Sequence, residues 1–573
     1  MSEVAASVNG AMALVRRRPL IVLFFLCFVA WLPGLFTLPP LDRDESRFAQ
    51  SSKQMLESGN FIDIRFGQVP RYKKPVGIYW LQAASTEVVS VVTGDMSRDR
   101  IWTYRVPSLL GAFAAVAGVF WCARAFAGSE ASFLAALLLG MTLLLAAEAK
   151  IAKTDAVLLA SVVATQAVLL RVYLSARDPD RPAPARAVVL AGWAAFAAGI
   201  LIKGPLIVGV CGVTIVALTV WDREWRWLGR TRPIMGLALT LVVVLPWLVA
   251  IAVQSHGQFF EQSLGHDFAT KLQGGQETHG APPGYYLLLT TFSFWPATLF
   301  LLPAVGAAVA RRGEPAMRFL LAWAGANLLL FELVPTKLPH YILPAYPALA
   351  MLAALWALAP RDDAEPRWRR VLFYLAPIQF LLAIAVFAAA LILLPDLYGS
   401  GTTWWLIAVS CGFAILGIAA AIFLFRRSNL WALACALGCV LIIYPAITLG
   451  VAPRLDQLWV SPRAAAAEKK LARSGDPPPA LAGYVEPSLV FLLGTETRQT
   501  DGRGAAEVGA AQGGLALVED SERSSFLAHL AELDADASQV GSVSGFNYSR
   551  GRHVHIRIYR VAPVREEMLP PAE

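Results

Sequence analysis

Residues 147–177 read AEAKIAKTDAVLLASVVATQAVLLRVYLSAR. Lys150, Lys153 and Asp155 precede an apolar run, and Arg177 closes it. A run of ~20 apolar residues can cross a bilayer as a helix, which satisfies its own backbone polar groups there. The segment therefore reads as a membrane span with lysine and a carboxylate at one end and arginine at the other. Similar runs recur at about 19–40, 105–127, 131–147, 155–175, 187–201, 204–221, 233–253, 286–310, 317–334, 340–358, 371–395, 404–425 and 430–451. With 57% hydrophobic and 16% charged residues, the chain is not an ordinary soluble protein. The pattern predicts an α-helical polytopic membrane protein of about thirteen spans.

Orientation follows from arginine, because cytoplasmic connections collect positive charge. Arg16–Arg18, Arg177, Arg181, Arg186, Arg223, Arg226, Arg230, Arg232, Arg311, Arg312, Arg367, Arg369, Arg370, Arg426 and Arg427 fall in alternate connections. That predicts a cytoplasmic N-terminus, a C-terminus outside, and a first span acting as an anchor. Eight of the ten lysines, namely Lys53, Lys73, Lys74, Lys150, Lys153, Lys203, Lys271 and Lys337, lie in the outer connections. Topology does not require them there, so lysines beside carboxylates point to a site for an anionic substrate at the outer surface. Codon bias toward arginine is the competing explanation.

The net charge of +8 is mostly this topological arginine and carries no argument for nucleic acid. The six cysteines all fall in apolar runs, with no disulfide framework and no CxxC pair. Two outer connections are long, at about 41–104 and 254–285. In the first, Glu45–Leu56 reads as a short helix and Val76–Val92 as an interfacial one. Residues 1–454 form the membrane domain by this reading, and 455–573 a small soluble outer α/β domain. The latter has predicted helices at Arg463–Arg473 and Ser521–Leu533 and strands at Ala480–Tyr484 and Gly514–Val518. Ser542–Tyr548 and His553–Val561 make a closing hairpin. His553 and His555 share a strand face, which alternation on a solvated surface explains better than metal binding.

Asp44-Glu45 follows the first span directly, flanked by Arg43 and Arg47. Carboxylates favour a helix start, and the same pair could serve as a general base kept ionised by the arginines. Asp155 repeats the choice: a helix cap, or an acid at the membrane edge facing a cavity. Lys73-Lys74, Lys153, Lys203 and Lys337 join these acids on the outer side. Lysines could bind a phosphate leaving group while a carboxylate deprotonates an attacking hydroxyl. His266, Asp267 and Lys271, then His340 and Tyr341, could add phosphate contacts or a metal ligand. Tyr79, Trp80 and Tyr341 could equally belong to an interfacial aromatic belt.

The run DESRFAQSSKQMLESGNFIDIRF…RYKKPVGIYW resembles the first outer loop of the GT-C class of lipid-linked-sugar glycosyltransferases. Within that class it is similar to the aminoarabinose (ArnT-like) and lipid A galacturonosyltransferase family, akin to the protein O-mannosyltransferases. KTDAVLLA, LIKGPL, GHDFATKL and TKLPHYILPAYPALA resemble family segments in the same order. The resemblance implies a GT-C fold, a polyprenyl-phosphate sugar donor, and lipid A or another envelope glycolipid as acceptor. It implies an active site and C-terminal domain on the periplasmic side of a bacterial inner membrane. It also implies catalytic roles for Asp44, Lys74 and Asp155. Substrate contacts would come from Glu45, Arg47, Lys73, Tyr79, Lys153, Lys203, His266, Lys271, Lys337, His340 and Tyr341. The family's divalent cation is held by a histidine matching His266 and a glutamate whose position is Lys73 here. A charged ammonium cannot ligate, so that cation is not expected. The rival functions are protein O-glycosylation with the same donor class, and transport of lipid-linked sugars. Transport would favour charges at mid-membrane depth and inverted repeats.

Overall fold

The computed structural model describes residues 16–93, 97–263, 281–360 and 366–564. Among these, nine helices are long and apolar enough to cross a membrane, and four shorter apolar helices accompany them. Together they match the runs read from the sequence one for one. The 286–310 run is broken: Tyr285–Ser293 and Thr298–Ala310 are separate helices.

The Asp155–Arg177 helix is the axis of the bundle. It has no internal proline or glycine, spans about 34 Å at 1.5 Å per residue, and is buried over most of its length. Ile101–Ala123 packs against it, and Gly111 sets the distance: a Cβ there would sit 2.7 Å from the Val157 Cα. Small residues permit such backbone approach between membrane helices. Gly77 does the same at the outer edge, where a Cβ would meet the Leu201 carbonyl oxygen at 2.8 Å. That contact seats the start of Gly77–Thr93, and the Lys73-Lys74 segment before it, against the end of Arg186–Lys203.

The first outer loop folds as Asp44–Ser58, with two carboxylates in its first turn and Gly59 in the left-handed region at its end. A short hairpin follows, from β1 (Arg65–Phe66) and β2 (Val69–Pro70).

The soluble module is a three-layer sandwich. Its sheet runs Arg498–Thr500 (β4), Ala480–Ala482 (β3), Gly514–Glu519 (β5), Arg552–Val561 (β7) and Ala537–Asn547 (β6). β3 is parallel to β4 and β5, while β7 is antiparallel to β5 and β6. Alternation sends Leu481, Leu515 and Leu517 to one face against Val460–Leu471 and Pro487–Leu493. Ala480, Ala482, Ala516 and Val518 go to the other, under Gly502–Gln512 and Arg523–Glu532. His555 pairs with Asp520 at 2.9 Å and His553 lies against the Phe546 ring.

The module clamps the first outer loop. Tyr548 accepts from the Asp42 amide at 2.8 Å, Ser488 donates to the Asp42 carboxylate, and Arg43 donates to the Ser549 carbonyl. Arg43 has a φ of 63°, a left-handed conformation that costs a non-glycine residue about 1–2 kcal/mol. Phe491 fills a buried cluster with Ala49, Ile101, Tyr104 and Ala152.

Candidate active site

Asp44 and Glu45 are adjacent yet meet opposite fates. Glu45 is 1% exposed and receives Arg105 in a two-pronged pair, Nε to Oε1 at 2.8 Å and Nη2 to Oε2 at 3.0 Å. The amides of Ala152 and Leu41 each donate to it at 2.9 Å. Arg105 spends its remaining donors on the carbonyls of Leu35, Leu38 and Pro39. Every oxygen of Glu45 is occupied, and the pair ties the end of the first span, the Asp44–Ser58 helix and the loop before Asp155 together. Glu45 is therefore a fastening, which corrects its assignment to substrate binding.

Asp44, one residue earlier on the helix, keeps an exposed surface although the loops around it partly shield its carboxylate. Burial beneath the loops would raise its pKa, but Lys153, Arg71, His340 and Arg47 outweigh that and hold it below the usual carboxylate range. It is therefore an ionised carboxylate at neutral pH with an open face.

Lys153 is the hub behind it. Its ammonium lies 3.1 Å from Glu148 Oε1, 3.6 Å from Asp155 Oδ2 and 3.5 Å from His340 Nδ1. Burial alone would discharge Lys153, but Glu148, Asp155 and Asp44 raise its pKa and keep it a fixed cation. Asp155 also takes Lys203 at 2.5 Å and stands 3.8 Å from His340 Nε2. Burial pushes the Glu148 carboxyl up to about 7 against the opposing pull of Lys153. Glu148 Oε2 and Asp155 Oδ2 have no hydrogen-bond donor among the described residues. Sequence reasoning passed over Glu148 and Arg71, although Glu148 is an isolated acid five residues before Lys153 in an apolar context.

Glu148, Asp155 and His340 offer ligand atoms within 4.8 Å of one another. They do not suit a divalent ion, because Lys153 and Lys203 already pair with the same carboxylates and would repel it. Lys73, at the family's glutamate position, is an exposed ammonium. His266, Asp267 and Lys271 lie outside the described residues.

Two further expectations change. Lys337 is buried and donates to the carbonyls of Phe331 and Glu332 at 2.9 and 2.6 Å, neutralising the end of Pro315–Leu333. Tyr79 is fully buried, with its ring on Phe48, and presents no open face. Lys337 is thus committed to these carbonyls, whereas the buried Tyr79 hydroxyl has no hydrogen-bond partner among the described residues. Lys53, too, is committed, to Asp99.

A groove of about 380 Å³ lies at the Lys203 end of the Arg186–Lys203 helix. Lys73, Lys74, Lys203 and Tyr341 form its polar rim, with Phe259 and Phe331 on its apolar wall. Lys203 lies 5.7 Å from the Tyr341 ring, a cation–π distance. A lipid tail fits the wall, and the lysines suit a phosphate at the rim.

Comparison with known proteins agrees with this geometry. The family described as dolichyl-phosphate-mannose-protein mannosyltransferase matches residues 73–249. An undecaprenyl phosphate-α-4-amino-4-deoxy-L-arabinose arabinosyl transferase of Edwardsiella ictaluri is 26% identical over 75% of this chain and 76% of its own length. A second transferase of the same description, from Pseudomonas fluorescens, is 31% identical over 56% of each chain. The crystal structure of ArnT from Cupriavidus metallidurans bound to undecaprenyl phosphate superposes with a TM-score of 0.73. It covers 96% of this chain and 99% of that one at 19% identity. The fold is thus that of a GT-C membrane glycosyltransferase. In sequence the chain is similar to these undecaprenyl phosphate-aminoarabinose arabinosyl transferases.

Proposed function

We propose that this protein transfers a sugar from a polyprenyl-phosphate donor to lipid A or another envelope glycolipid, at the periplasmic face of a bacterial inner membrane. The supporting observation is the contrast at residues 44 and 45. An ionised, exposed Asp44 stands next to a Glu45 locked to Arg105 and in front of a lysine hub whose carboxylates keep unused oxygens among the described residues. Through Asp155, the lysine hub behind Asp44 connects to Lys203 on the rim of an apolar groove suited to a prenyl phosphate.

In this reading the acceptor hydroxyl attacks the anomeric carbon and gives its proton to Asp44. The bond from that carbon to the phosphate oxygen breaks, and the leaving polyprenyl phosphate keeps the electron pair. The configuration inverts. Lys74 and Lys203 stabilise the departing phosphate, and Lys153 holds Asp44 ionised. Asp155 positions Lys153, Lys203 and His340. Arg47 lies beside Asp44 on the acceptor side, and Tyr341 flanks Lys203 at the donor rim.

The experiment is mass spectrometry of lipid A and envelope polysaccharide from cells with and without the protein, with transfer by purified protein in parallel. A sugar present only with active protein supports the reading; unchanged glycolipids sink it. The match of residues 73–249 to protein mannosyltransferases supports a second reading, transfer to protein. A glycopeptide product in the same experiment would select it.

A further inference from the structure

At the Arg177 end of the bundle, the ends of Thr298–Ala310, Tyr346–Leu358 and Arg367–Tyr398 meet the turn between Trp404–Phe425 and Asn429–Pro445. They enclose a cavity of about 460 Å³. Leu352, Leu355 and Phe373 give it an apolar wall, and Arg311, Arg369 and Arg427 reach it from three separate connections. No carboxylate lines it among the described residues. Positive charge at this end serves topology, but topology does not require it to converge on a cavity. Arg311 gives Nε and Nη2 to Glu314 at 2.7 and 2.8 Å. Arg427 is different. Its guanidinium lies 4.7 Å from the Phe373 ring and meets no carboxylate among the described residues. Its φ of 57° is the left-handed conformation that glycine or asparagine normally supplies at a helix end. The turn would close without this side chain, so the turn does not account for the arginine. Trp368 and Tyr374, next in sequence to the lining residues Arg369 and Phe373, are exposed, and such aromatics collect at headgroup depth.

We propose that this cavity seats the phosphodiester headgroup of an anionic glycerophospholipid, with Arg427 as its main cation. Basic pockets between membrane helices suit such headgroups, and the planar guanidinium suits two-pronged contact with phosphate oxygens. Arg427 and Arg311 approach the phosphate from different connections, and the apolar wall takes the glycerol backbone and the first methylenes. The inference is independent of the glycosyltransfer reading. A lipid held there ties the Arg367–Tyr398 helix and the two that follow it to Thr298–Ala310 and Tyr346–Leu358. It is a fastening supplied by the membrane, at the end of the bundle away from Asp155.

The test uses the full-length protein in detergent, stripped of co-purified lipid, and native mass spectrometry with dioleoyl phosphatidylglycerol or dioleoyl phosphatidylcholine. Wild type should bind phosphatidylglycerol about fivefold or more tighter than phosphatidylcholine, and R427Q should lose about fivefold in phosphatidylglycerol binding. R367Q removes the same charge from an exposed residue that does not line the cavity, and should stay within about twofold of wild type. If R427Q does not fold, R311Q carries the same test, because Arg311 is exposed and lines the cavity from another connection. Equal phosphatidylglycerol binding by wild type and the cavity variant overturns the proposal, as does an equal loss in R367Q. Wild type that binds both phospholipids alike overturns it too. So does displacement of bound phosphatidylglycerol by equimolar glycerol phosphate, which would make the site one for a free anion, or by equimolar undecaprenyl phosphate, which would make it a donor site.

Discussion

The Asp155–Arg177 helix carries a charged network at each end, and the two are built differently. At the Arg177 end, the Asp222 carboxylate is filled, although Arg177 Nε has no acceptor among the described residues: Tyr173 donates at 2.7 Å, Arg177 at 2.7 Å, and Arg318 donates to the other oxygen. Glu224 takes the second prong of Arg177. At the Asp155 end, Glu148 and Asp155 each keep an oxygen without a hydrogen bond among the described residues, and Asp44 is exposed. A saturated network fixes helices in place. An incompletely saturated one, held by lysines beside an apolar groove, retains electrostatic capacity for a substrate.

The widest separation should come from Asp44→Asn. Replacing the base while keeping its volume should lower turnover about 10²–10⁴-fold, with thermal stability and undecaprenyl phosphate binding close to wild type. Since the Asp44 pKa is depressed, the wild-type carboxylate stays ionised through neutral pH. Its contribution to rate is lost only in acid, below the ordinary carboxylate range. Near-normal turnover of the purified variant would reduce Asp44 to a helix-start residue.

Asp222→Asn tests the opposite end. It removes the shared partner of Arg177 and Arg318 and should cost about 1–3 kcal/mol of stability, discounted for the partly exposed arginines. Turnover per folded molecule should stay unchanged. A lower kcat with an unshifted melting temperature would contradict the division of roles.

A smaller effect is expected within the outer loop. Lys74→Ala should raise the donor KM several-fold, more than Lys73→Ala does, because of the two lysines on the groove rim Lys74 stands at the lysine position of the family that the loop resembles. Lys74→Arg should restore binding better than rate. Equal, small changes in both alanine variants would remove this loop from the donor phosphate.

The smallest expected effect is none at all. Lys153 and Lys203 already occupy the carboxylates that a cation would need, so turnover should survive EDTA. Loss on chelation with recovery on one added metal would show that His266 and its neighbours build a site of their own.

The spans were legible because hydropathy over ~20 residues is a strong signal. So was the gathering of Asp44, Lys153, Asp155, Lys203 and His340, since each stands at the outer end of an apolar run. The fates of neighbours were not. Asp44 and Glu45 differ only by a 100° turn about a helix, and Arg105, which claims Glu45, is 60 residues away in sequence. Lys337 resembled the other outer lysines until its carbonyl partners were in view. In the soluble module, β4 is three polar residues long and shows no alternation. The Gly502–Gln512 helix is rich in glycine and alanine and shows its start only through Asp501, whose side chain accepts from the Gly504 amide at 2.8 Å.

The clamp on Asp42 and Arg43 also sets a schedule. The partners of these residues, Tyr548 and Ser549, are separated from them by 506 positions. At about 5–20 residues per second, ribosomes need roughly 25–100 s to make that stretch. During that interval the nascent chain can already be threaded into the membrane while the backbone before Asp44 lacks its restraint. The clamp is thus completed only with the last hairpin, and a chain cut short before residue 548 lacks these restraints on the backbone before Asp44.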